Sequence, residues 1–311
     1  MSDRAAPPRR SPGSEALSGV FPVFQTPFCE DFSIDREVLE KEIRWMYGHG
    51  IDGIVMAMVS ETLRLSGEER RLLAEAACEI GLAHGPVIVS VGAESTKVAV
   101  DHAVHAQSIG ASALMAIPPT TVPCLEDQLA DYYRALLDAT EVPLVIQDAS
   151  GYVGRPMSIG LQARLLDEYE GRVLFKPEAV PIGPRLTELR EATGGAARVF
   201  EGSGGIALVD SYKRGIVGTM PGAEVCWAIV ALWDSLEAGD EERINVINGP
   251  LAALVSIQAG LDGFIAVEKH LLVRQGVFTA GRVRGPVGYR LDRETTAEVD
   301  RLFDVLRSAV G

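Results

Sequence analysis

SGEERRLLAEAACEIGLAHGPVIVSVG, residues 66–92, holds the unit from which most of the chain is built. Ser66 and Glu69 form an S-x-x-E capping box, in which each side chain satisfies a backbone N–H of the first helical turn. A helix is therefore expected over EERRLLAEAACEIGLAHG, with Gly85-Pro86 as its stop signal. The run VIVSVG that follows is short, apolar and β-branched, as a buried strand requires. Strand then helix is the pattern to look for elsewhere.

From Gly19 the pattern recurs. VFPVFQT, GIVMAM, VIVSVG, ALMAI, PLVIQD, RVLFKPE, RVFEGS and IVGTMP are candidate strands, each separated from the next by a helical stretch. Such alternation implies parallel strands with crossover helices, and eight units predict a (β/α)8 TIM barrel. A doubly wound open sheet is the alternative. Residues 240–311 read as three further helices, so the expected division is a disordered tail (1–18), a barrel (19–239) and a C-terminal helical extension (240–311). The tail, MSDRAAPPRRSPGSEALS, has no apolar core of a signal peptide.

The 311 residues carry a net charge of −14, which argues against nucleic acid or an anionic membrane as partner. The most apolar late stretch, residues 246–267, is broken by Asn248, Gly249, Pro250 and Asp262 and is not expected to span a membrane. The four cysteines are scattered, which suits a reduced, cytoplasmic setting and no structural zinc. His102 and His105 lie three apart on one helix and are expected to be a solvated pair on the outer ring.

RVLFKPEAV, residues 172–180, poses a different question, because a lysine interrupts an apolar strand. Only five lysines are present, and Lys41, Lys97, Lys213 and Lys269 fall in helical stretches expected to be solvated. Lys176 alone ends a strand. Side chains alternate along a strand, so Leu174, Lys176 and Glu178 share one face and Val173 and Phe175 the other. Barrel enzymes place their chemistry at the carboxyl ends of strands, where Lys176 falls. An amine can lose its proton and attack a carbonyl, which a guanidinium cannot. A buried Lys176–Glu178 ion pair without chemistry is the bland alternative.

These residues resemble the dihydrodipicolinate synthase / N-acetylneuraminate lyase superfamily of Schiff-base barrels, over nearly the whole chain from Gly19. GVFPVFQTPF is similar to the family's opening strand, and AMVSETLRLSGEER sits where the family has G-T-T-G-E and a Leu-Ser-x-x-Glu-Arg helix start. LFKPEAV is similar to the strand bearing the imine-forming lysine, and EGSGGIALVDSYKRGIVGT to the seventh and eighth units. The resemblance implies that Lys176 forms the Schiff base. It also exposes departures. Gln147 stands where synthases and aldolases have a proton-relaying tyrosine, Tyr152 where they have a carboxylate-binding arginine, and Met58-Val59 replace two threonines. The QDA after strand five, Ser60-Glu61 and a glutamate two residues after the lysine resemble the 2-keto-3-deoxyarabonate dehydratase branch.

The remaining candidates surround that lysine. Ser60, with backbone N–H groups of its loop including that of Val59, would hold a substrate carboxylate, or else makes only a turn hydrogen bond. Glu61 reads as a loop-fixing acceptor for backbone N–H groups. The EGSGG loop presents Ser203 and Gly204, whose N–H groups could meet an anion. Together these predict a lyase acting on a 2-keto acid, without cofactor or metal, most specifically a 2-keto-3-deoxy sugar acid dehydratase. Lys176 would be the nucleophile and Glu178 the base, with Gln147 assisting through water. An aldolase or synthase using the same imine, or a silent keto-acid-binding barrel, are the other readings. A homo-oligomer, by resemblance a tetramer, is expected.

Overall fold

The computed structural model describes residues 17–169 and 171–311, so the predicted tail lies outside the described residues except for its last two. Eight short strands alternate with helices: β1 (Gly19–Val20), α1 (Arg36–Tyr47), β2 (Ile54–Val55), α2 (Gly67–Gly81), β3 (Val87–Ser90), α3 (Thr96–Ser108), β4 (Ala113–Ala116), α4 (Glu126–Asp138), β5 (Leu144–Asp148), α5 (Ile159–Glu168), β6 (Val173–Pro177), α6 (Ile182–Ala192), β7 (Phe200–Glu201), α7 (Leu208–Lys213), β8 (Gly218–Thr219) and α8 (Cys226–Ala238). Three further helices follow: α9 (Glu241–Ser256), α10 (Gly260–Arg274) and α11 (Arg293–Val310).

Every strand pairing is parallel. β2 to β6 form one sheet in chain order, and β1, β8 and β7 form another. Single parallel bridges, Phe175–Val199 and Val23–Val55, link the two sheets at both seams. The result is one curled parallel sheet inside a layer of helices. Val55, Ile88, Met115, Val145, Leu174 and Phe200, one from each of β2 to β7, pack together as an inner apolar cluster. Their strand neighbours, among them Val89, Leu114, Ile146 and Phe175, belong to the larger core beneath the helices. Period-two alternation thus divides each strand between two apolar environments.

Three expectations need correction. The first predicted strand, VFPVFQT, is regular only at Gly19–Val20, because Pro22 has no N–H to donate. Its neighbours keep the pairing alive: Phe21 N–H donates to Thr219 O (2.9 Å), Val23 N–H to Pro221 O (2.7 Å), and Pro22 O accepts from Val55 N–H (3.0 Å). Helix α2 retains the predicted Ser66–Glu69 capping box but stops at Gly81, short of Gly85-Pro86. A closing turn follows, in which His84 and Gly85 N–H both donate to Gly81 O (2.8 and 3.0 Å), and Gly81 packs where a side chain would come within 2.8 Å of Val87 and Ile54. Helix α9 continues through Asn248, Gly249 and Pro250, where the sequence predicts a break. Pro250 frees the carbonyl of Val246, an exposed residue where water can satisfy it. The break comes instead at Ile257–Ala259, before Gly260 with φ +64°. Among the described residues no single helix is long and apolar enough to cross a membrane; α9 and α10 pass that test only as a pair bent by 118°.

Candidate active site

The carboxyl ends of the strands surround a narrow pocket whose walls include Gln147, Tyr152, Lys176, Glu178, Gly204 and Glu268. Strand parity delivers the central pair. Leu174 belongs to the inner cluster, so Lys176, two residues on, turns the same way and emerges on the pocket wall. The parallel register sets Gln147 of β5 directly beside Lys176 of β6.

Glu178 is held from two sides. Lys176 Nζ lies 3.0 Å from its Oε1, and Gln147 Nε2 donates to its Oε2 at 2.8 Å. All three residues are buried. Burial pushes the Glu178 carboxyl above its ordinary value, while the Lys176 charge and the Gln147 hydrogen bond oppose that shift. Glycines make room for the arrangement. A Cβ at Gly202 would lie 2.8 Å from Glu178 Cγ and 2.9 Å from Lys176 Cε, and one at Gly151 would lie 2.5 Å from Glu178 O. Asp148 fixes the loop that follows β5, accepting from Ser150 N–H (3.3 Å) and Met157 N–H (3.0 Å). Tyr152 stacks edge-on against Phe264 of α10, ring centroids 5.3 Å apart. Burial raises its phenol well above the usual range, and Glu178, Glu201 and Glu268 add to the effect.

The other predicted residues divide. Val59, Tyr152 and Gly204 reach the pocket; Ser60, Glu61 and Ser203 do not line it. The Ser60 hydroxyl donates to Phe24 O (2.6 Å) and accepts from Ala57 N–H (3.1 Å), so it is spent on the turn. In the EGSGG loop, the Ser203 N–H expected to meet an anion donates to Glu201 Oε1 at 2.5 Å instead. The Ser203 hydroxyl accepts from Ala207 N–H at 2.9 Å, capping the next turn. Glu61 accepts from Arg284 N–H at 2.9 Å and also pairs with Lys269.

Lys269 is the largest miss. Read as solvated, it is 1 % exposed; its ammonium donates to Thr26 O and Arg282 O, each at 2.7 Å, and to Glu61. Sequence reasoning also missed the buried carboxyls Glu42, Glu224 and Glu268. A signal existed. Glu268 falls in the stripe Phe264, Ile265, Leu271, Leu272 of α10, and Glu42 in the stripe Leu39, Ile43, Met46 of α1, where a charged residue is placed against the core. His102 was also misjudged. It is buried beside Gly67 at the start of α2, and burial with nearby Arg70 and Arg71 lowers its pKa to about 4. Among the described residues no three His, Cys, Asp or Glu side chains are grouped to hold a metal ion.

A sequence profile of the Dihydrodipicolinate synthetase family matches residues 16–304, and the chain belongs to that family. It is 28 % identical to L-2-keto-3-deoxyarabonate dehydratase from Azospirillum brasilense, over 90 % of this chain and 92 % of that one. It is 25 % identical to 4-hydroxy-tetrahydrodipicolinate synthase from Agrobacterium fabrum, over 91 % and 96 %. Among solved structures, YagE, a dihydrodipicolinic acid synthase family protein of E. coli K12 solved with pyruvate, superposes with a TM-score of 0.86 at 20 % identity, covering 94 % of this chain and 99 % of that one. The family's named members include both dehydratases and synthases.

Proposed function

We propose that the curled sheet is a closed (β/α)8 barrel extended by the helices of residues 240–311, and that the protein is an imine-forming lyase, specifically a 2-keto-3-deoxy sugar acid dehydratase. The observation that carries this reading is the isolation of Lys176. Its ammonium lies on the pocket wall with one carboxylate partner, Glu178, at 3.0 Å. An amine has three donor positions, so Lys176 is held in place without being fully engaged.

In this reading Lys176, once deprotonated, attacks the C2 carbonyl of the 2-keto acid. Dehydration of the adduct gives a protonated imine, which acidifies C3–H. Glu178, on the same strand face, takes that proton, and burial favours its doing so by raising its basicity. The resulting enamine expels the C4 hydroxyl, which takes up a proton and leaves as water. The amine itself carries the covalent chemistry. Dehydration is favoured over aldol cleavage or condensation by Gln147. An amide cannot donate and regain a proton near neutral pH as a phenol does, and here it serves to hold Glu178. The named similarity to a 2-keto-3-deoxyarabonate dehydratase supports the same choice.

Incubation with L-2-keto-3-deoxyarabonate tests it. The expected product has lost one water and retains all its carbons. Release of pyruvate, or efficient condensation of pyruvate with aspartate semialdehyde, would move the protein to the aldolase or synthase reading. The expected assembly is a cytoplasmic homotetramer, and a monomer in sedimentation would contradict that part.

A further inference from the structure

The pocket holds more carboxyl groups than imine formation and C3 deprotonation require. Glu268, from α10, lines the same pocket as Lys176 and Glu178. Its Oε2 accepts from the Gln25 amide. Its Oε1 converges with a second carboxyl: a Cβ at Gly222 would lie 2.6 Å from Glu268 Oε1 and 2.3 Å from Glu224 Oε2. Glycine at 222 is what lets both oxygens reach that spot, and Gly222 is itself on the pocket wall. Glu42 of α1 stands close behind, its Oε1 accepting from Gln25 N–H at 2.8 Å.

The charged and titratable groups near Glu268 are Glu42, Glu224, Lys176 and Lys269, with Tyr152 close by. Each cation has its own carboxylate, Lys176 with Glu178 and Lys269 with Glu61, and their pull on Glu268 ranks below the repulsion from Glu224 and Glu42. Three buried carboxyls without a dedicated cation cannot all ionise. They must share protons, and their titrations belong to the group. Glu42 Oε2 and Glu224 Oε2 are buried with no hydrogen-bond partner among the described residues. Burial first, and the neighbouring carboxylates second, keep Glu268 well above the usual range; burial raises Glu224 to about 7.

We propose that Glu268 is the general acid that protonates the departing C4 hydroxyl, and that Glu224 is the neighbour that keeps it protonated. The inference rests on the imine reading above and adds the proton donor that reading lacks. Glu178 removes the C3 proton and the C3–H electrons form the enamine. Those electrons then make the C3–C4 double bond as the C4–O bond breaks. The leaving oxygen takes the proton of Glu268 and departs as water. Glu268 is left as carboxylate and Glu178 as acid, and exchange with solvent restores both. Hydrolysis of the imine consumes one water and frees Lys176.

Glu268→Gln retains size and hydrogen-bonding capacity but has no acidic proton to give. In this variant pyruvate should still be trapped by borohydride and should still exchange its methyl protons in D2O, because both precede the acid step. Dehydration of L-2-keto-3-deoxyarabonate should fall by about 10²-fold or more, while chloride elimination from 4-chloro-2-oxobutanoate, which needs no proton donor, should stay within about threefold of native. Glu224→Gln, which keeps Glu268, removes a neighbouring negative charge. Glu268 then loses its proton at lower pH, and the alkaline limb of dehydration should move down by about one pH unit. Near-native dehydration in Glu268→Gln, an equal loss on the chloride substrate, or an unmoved alkaline limb in Glu224→Gln would overturn the assignment. If native protein traps no adduct at all, the imine reading fails first and this inference falls with it.

Discussion

Lys176 and Lys269 are 4 % and 1 % exposed, and each faces a buried glutamate. The rest of their surroundings differ. Lys269 spends its donors on Thr26 O, Arg282 O and Glu61, and lies over the ring of Phe28 at 4.6 Å. It ties α10 to the segments after β1 and β2 and to residue 282. Burial lowers its pKa, and Glu61 works against that shift. Lys176 has Glu178 and the pocket. What separates a clamp from a candidate nucleophile is how many donors the fold leaves unspent, since burial is common to both.

That contrast can be broken by substitution. Glu178→Gln removes the base while leaving the nucleophile, so the borohydride-trapped adduct should persist and turnover should fall by about 10²–10⁴-fold. Full activity in that variant would return Glu178 to a purely structural role. At the clamp, Lys269→Met strands Glu61 as an uncompensated buried charge and should cost about 3–5 kcal/mol of stability. Denaturant unfolding would measure it, and adduct formation per folded molecule should stay near native. Loss of the adduct with the fold intact would erase the distinction between the two lysines.

A pH profile sharpens the comparison. Glu178 must be ionised to act as base, and its folded pKa is raised above the ordinary 4.5. Below that raised value it is protonated, so the acid limb of kcat/KM should lie above 4.5 and activity should climb through it. An acid limb at or under the ordinary value would deny Glu178 the role. The smallest effect belongs to the surface. Glu69, its carboxyl lowered to about 2 chiefly by the Arg284 hydrogen bond, is a partly exposed partner. Its folded pKa is depressed, so its stabilisation is present above the unfolded value and lost as pH falls toward 2. The exposed Arg301–Glu298 pair on α11 is weaker still, and Arg301→Ala should leave thermal unfolding near native.

The part of the molecule legible in sequence is the part governed by short periods. Alternation along RVLFKPE placed Leu174 inward and so Lys176 on the same face, and the structure has Leu174 in the inner cluster and Lys176 on the pocket wall. The Ser66–Glu69 capping box was equally local. Long-range packing was hidden. Lys269 meets Glu61 across 208 positions and Gln25 meets Glu268 across 243, and no local pattern announces such partners. The EGSGG loop was legible as a wall, since Gly204 is there, but the use of the Ser203 N–H by Glu201 depends on a side-chain rotamer. Pro250 inside α9 shows the converse error, a local breaker overruled because its lost bond falls at an exposed residue.

Borohydride reduction in the presence of pyruvate, followed by peptide mass mapping, tests the difference between the two lysines most directly. One adduct is expected, on the peptide containing Lys176, and it should disappear in Lys176→Arg and survive in Lys269→Met. An adduct mapped to Lys269 or Lys213, or one that persists in Lys176→Arg, would contradict it.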